Sequence, residues 1–114
     1  MATSPQFTSK PNCNAVTVNV ANTKVDVITA TDNGTRVDKV FVTAQGTTTA
    51  GNVRLYISDK MVKDIPVRAI TAAAGTANFM SIVELDVVLK SGQKLQALTV
   101  NAESFDIIAI GGDF

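Results

Sequence analysis

The chain contains no histidine, no tryptophan, one cysteine and only two glutamates. Each shortage closes a route to function. Without His, no Ser-His-Asp or Cys-His arrangement can take and return a proton. One Cys cannot complete a tetrahedral zinc site or an internal disulfide. No apolar run reaches the roughly 18 residues that a membrane helix needs. Ten Lys and Arg balance ten Asp and Glu, so no charge excess draws nucleic acid or an anionic membrane. The same neutrality gives little protection against self-association.

What remains is β-forming. The chain holds 15 Val, 8 Ile and 14 Thr, about a third of its 114 residues. These side chains are stiff at χ1 and fit a pleated, half-buried surface. The length suits one domain, whose core holds without cross-links. A lone Cys13 fits a chain folded in a reducing cytoplasm. As a nucleophile it would need a basic neighbour to lower its pKa. The simpler reading is a small side chain near the start of the first strand.

The opening residues 1–12 carry two of the three prolines among Ser, Thr, Gln and Asn. They lack the apolar segment of a signal peptide. The composition predicts an extended N-terminal arm. It is either a frayed end or a segment that pairs with a neighbouring subunit, with Phe7 as its anchor. Residues 13–114 then form a single domain.

Alternation begins at Asn14, where Val16, Val18 and Val20 share one phase. Val25 and Val27 open a second strand. Asp32-Asn33-Gly34 is the strongest hairpin signal, because Asn-Gly tolerates the positive φ of a tight turn. The phase slips between Val37 and Val40, which predicts a bulge at Asp38-Lys39. Val53, Leu55 and Ile57 form a clean strand, and Ser58-Asp59-Lys60 turns the chain. Pro66 removes a ladder donor and predicts an edge or a bulge for the next strand. Thr71 to Asn78, Ala-rich around Gly75, reads as a long loop. Phe79–Leu89, Leu95–Val100 and Phe105–Ile110 supply the last three strands, and Phe41, Phe79 and Phe105 read as core. About eight strands separated by turns predict an all-β, antiparallel β-sandwich of jelly-roll or Ig-like Greek-key type.

Sites for chemistry are scarce. Gly46 and Gly51 have Asn52-Val53 where a phosphate loop needs Lys-Ser/Thr. The carboxylates sit at turns or alternate with apolar residues, as solvated strand faces do, rather than as a glycosidase pair. No Asp-x-Asp-x-Asp run suggests a calcium loop. Tyr56, out of phase with its apolar neighbours, is a weak platform for a sugar. The sequence therefore predicts no enzyme, no cofactor, no metal and no small-molecule substrate.

The stretches GTTTAGNVRLYISD (46–59), DIPV (64–67) and LQALTVNAESFDIIAIGGDF (95–114), with the opening MATSPQFTSKPN, resemble small virion-associated proteins of tailed bacteriophages. The resemblance spans most of the chain and includes no catalytic motif. It implies a small β-sandwich, often trimeric, that decorates or cements the head shell. The implied partners are the major capsid protein and other copies of the chain. The implied location is the head surface, after synthesis in the host cytoplasm. Pro5, Phe7 and Pro11 in the arm and Phe114 at the far end are the expected contacts with neighbouring chains. The alternatives are a tail, fibre or baseplate component, or a surface carbohydrate-binding module.

Overall fold

The alternating segments become eight strands. In the computed structural model, which describes residues 9–114, they are β1 (Lys10–Val18), β2 (Val25–Thr29), β3 (Thr35–Ala44), β4 (Gly51–Ile57), β5 (Lys60–Val67), β6 (Met80–Leu89), β7 (Lys94–Thr99) and β8 (Phe105–Asp113). Among the described residues no helix forms. Two four-stranded sheets result, in the orders β1-β8-β3-β6 and β2-β7-β4-β5.

The pairing is nested. β1 pairs with β8, β2 with β7, β3 with β6 and β4 with β5, all antiparallel. The chain is thus one long hairpin, four strands out and four back. It is rolled so that β3 also meets β8 and β4 also meets β7. That is the connectivity of a jelly roll. An Ig-like sandwich would keep its first two strands side by side in one sheet. Here β1 and β2 lie in opposite sheets, so the Ig-like alternative falls.

The core lies between the sheets and follows the period-2 pattern. Val37, Val40, Val42, Ile107 and Ala109 face inward from the first sheet. Val27, Val53, Leu55, Leu95 and Ala97 face them from the second. Phe79 meets Phe105 edge-on, with ring centres 6.4 Å apart and planes at 88°. The edge-to-face arrangement adds to the area both rings bury.

The bulge is where the phase slip placed it. The register of β3 jumps between Val37 and Lys39 against both of its neighbours. Opposite it on β6, Asp86 takes a positive φ of 49°. On β8, Gly111 lies so close that a Cβ would collide with the carbonyl oxygen of Arg36. Pro66 sits on β5, the outermost strand of its sheet, where no partner needs its missing N–H. The long loop before β6 contains Gly75 at a φ of 80°.

Four expectations need correction. The Asn33-Gly34 turn forms, with Gly34 at a φ of 87°, but it is no hairpin, because it carries the chain from one sheet to the other. Turn chemistry is local and does not choose partners. Val20 was expected inside, yet it lies beyond the end of β1 and is 58% exposed. Phe41 points outward, out of phase with buried Val40 and Val42. Lys10, Pro11 and Asn12, expected in the arm, belong to β1 and pair with Asp113, Gly112 and Gly111, while the arm's first eight residues lie outside the described ones.

Candidate interaction surface

Which side chains each sheet turns outward follows from its register. On the first sheet, Ala15 lies opposite Ile108, Ile108 opposite Phe41, and Phe41 opposite Ile82. These pairings run through all four strands, so the four side chains form one apolar row across the outer face. Ile82, at the edge, is 55% exposed. One row over run Cys13, Ile110, Lys39 and Glu84. On the other side run Thr17, Asp106, Thr43 and Met80. Lys39 and Glu84 make no ion pair among the described residues. Asp106 accepts hydrogen bonds from Thr17 Oγ1 at 2.9 Å and Gln45 Nε2 at 2.7 Å, both on Oδ1.

The outer face of the second sheet differs in kind. Its cross-strand row is Asp26, Gln96, Tyr56 and Met61. Asp26 pairs with Lys94 at 3.1 Å and accepts from Gln96 Nε2 at 2.7 Å. The Gln96 bond, with Lys94 second, holds the Asp26 carboxyl below its usual range. Lys24 reaches Asp59 at 2.8 Å, and its ammonium lies 4.6 Å from the centre of the Tyr56 ring. Its hydrogen bond lowers the pKa of Asp59 as well. Arg54 pairs with Asp64 at 3.4 Å. Donors and carboxylates on this face satisfy one another, as on a solvated surface. A groove of about 520 Å³ at its end is lined by polar groups such as Ser58, Asp59, Gln93 and Lys94. No aromatic ring lines it among the described residues, and Tyr56 on the same face carries Lys24 on its ring.

The residues expected to touch neighbours are divided. Pro5 and Phe7 lie outside the described residues. Pro11 is exposed on β1, opposite Gly112. Phe114 turns back on its own chain, its N–H donating to the carbonyl of Gly34 at 3.2 Å. Beside it, the Asp113 carboxylate accepts from Asn12 Nδ2 and from the buried Thr35 hydroxyl, each at 2.8 Å. These two bonds, Asn12 first, lower the pKa of Asp113. The C-terminal strand is therefore an inner strand of its sheet, tied down on both sides.

Cys13 is exposed on the outer face. Among the described residues no group of three or more His, Cys, Asp or Glu is placed to hold a metal ion.

The outward row Ala15, Ile108, Phe41, Ile82 was not singled out in the sequence, although a signal was there. In Phe105–Ile110 both phases are apolar, with Phe105, Ile107 and Ala109 on one and Ile108 and Ile110 on the other. A strand with one face in water should alternate; a strand covered on both faces need not.

No protein-family model matches the chain, and no curated protein matches it. What the chain does has to be argued from its own surfaces.

Proposed function

We propose that this chain is a structural protein of a bacteriophage virion, a cement or decoration protein bound to the major capsid protein of the head. The observation that carries the reading is the apolar row across the outer face of the β1-β8-β3-β6 sheet. A monomer gains nothing by leaving such a row to water, whereas an assembly subunit uses it for contact. The resemblance of residues 46–59, 64–67 and 95–114, and of the opening twelve, to small virion proteins of tailed phages supports a virion as that assembly. A sandwich that holds without disulfides suits folding in a host cytoplasm, followed by service on a particle outside it. Attachment then spreads over many copies, so modest contacts give a firm shell.

The test is the copy number of the chain in purified particles, relative to the major shell protein, by quantitative mass spectrometry. A head-covering protein is expected on the order of hundreds of copies, the number that makes weak contacts collectively strong. A count of a few dozen or fewer moves the chain to the tail or a fibre. Absence from particles overturns the virion reading.

A further inference from the structure

We infer that the outer face of the β1-β8-β3-β6 sheet is where two copies of this chain pair, back to back, about a two-fold axis lying along the row Ala15, Ile108, Phe41, Ile82. The inference uses the same apolar row that supports the virion reading and gives it an occupant, but it is tested on the isolated chain in solution, so either can fail without the other.

The contrast between the two outer faces selects the surface. Three of the four ion pairs among the described residues, Lys24–Asp59, Lys94–Asp26 and Arg54–Asp64, involve strands or turns of the other sheet. The β1-β8-β3-β6 sheet has only the fourth, Arg36–Asp38 within β3, among the described residues; its outer face carries the apolar row, flanked by Lys39 on one side and Asp106 on the other. Its outer strand, β6, adds exposed Met80 (64%) and Val88 (60%). A ten-residue edge with apolar side chains facing out is what a protein normally blunts or covers.

The area is sufficient. Four strands about 4.8 Å apart and nine or ten residues long, at about 3.3 Å each, give a face of roughly 600 Å² per copy. Two such faces bury roughly 1,200 Å², at the threshold of a stable specific interface.

The charges select the occupant and the axis. Adjacent rows on one face are about 6.6 Å apart along the strands. An axis parallel to the strands, midway between β8 and β3, would set Lys39 within about one strand spacing, ~4.8 Å, of the partner's Lys39. It would set Asp106 equally close to the partner's Asp106. Like charges that close are destabilising. An axis along the row keeps the two Lys39 about 13 Å apart. It brings each Lys39 beside the partner's Asp106, one strand over. Asp106 has its Oδ2 clear of side-chain hydrogen bonds among the described residues. Phe41 then packs on the partner's Phe41 and Ile108 on the partner's Ile108. Self-complementarity of this kind is what a two-fold contact demands. The trimer implied by resemblance would need a second, different face to meet this one.

Sedimentation velocity on the full chain across a concentration series tests the pairing. The expected result is a monomer–dimer equilibrium. Ile82→Lys, at an exposed edge position, should weaken it at least roughly tenfold. Lys39→Asp and Asp106→Lys should each weaken the dimer, and the double exchange should restore it. A restoration cannot come from a merely misfolded variant. Cys13, the one thiol in the chain, reports independently: its labelling by a maleimide should slow as the dimer forms. A monomer up to about 1 mM, a trimer, or a dimer indifferent to Ile82→Lys overturns the inference.

Discussion

At the scale of single residues, the fold depends on groups at the end of β8. Asp113 joins three strands, accepting from Asn12 on β1 and Thr35 on β3 while its own strand runs between them. Its pKa is lowered by those bonds. A carboxyl whose folded pKa lies below its unfolded value stabilises the fold at pH above that unfolded value, about 4, and loses the contribution as pH falls through the folded one. Asp26 and Asp59 are shifted the same way. The melting temperature is therefore expected to fall on acidification below about pH 4. Asp113→Asn should melt below the parent at pH 7, and the gap should narrow as acid protonates the parent. Melts of both proteins from neutral to acid pH check this; a gap unchanged in acid would mean that the charge is irrelevant. None of this was visible in the sequence. Asp113 follows two glycines near the chain end and reads as tail. Its role arises only because Asn12 and Thr35, distant in sequence, are folded beside it.

At the scale of the element, period-2 alternation was a sound guide to strands and to which side chains face the core. It marked the bulge at Asp38-Lys39 and the edge at Pro66, since both come from local backbone chemistry. At Phe41 the alternation was right and aromatic bulk misled: the phase puts Phe41 outward, between buried Val40 and Val42. Ile107 and Ile108 make the point testable, being adjacent and facing opposite ways. Ile107 is fully buried between the sheets, and Ile108 sits half-buried in the outer row. Ile107→Ala is expected to cost about 2–5 kcal/mol of stability, as for other large-to-small core changes. Ile108→Ala should cost the isolated monomer roughly 1 kcal/mol or less. Urea unfolding at low protein concentration measures both. Equal costs would mean that the outer row is packed as tightly as the core. The hairpin signal failed for another reason. Asn33-Gly34 joins two sheets, while the one hairpin between consecutive strands among the described residues, β4 to β5, turns through Ser58 and Asp59, both at positive φ. A tight turn can form without glycine because short polar residues such as Asp tolerate a positive φ.

For the whole molecule, strand order was beyond what the sequence carried. Pattern reading counts strands, but partnership is set by which faces bury best together across the entire chain. β1 and β8, nearly the full length apart, pair over nine positions from Lys10↔Asp113 to Val18↔Phe105. The same pairing makes the sheet indivisible. β1 has no neighbour in its sheet except β8, and β8 separates it from β3. A chain ending at Ser104 is expected to lack cooperative unfolding and the β-sheet circular dichroism of the full protein. Retention of a cooperative melt would show that seven strands suffice. During synthesis the same order has a temporal meaning. β8 is made after β1 and β3, and both wait for it. The sheet can close only once Phe105–Asp113 have left the ribosome, however early the strands before them emerge.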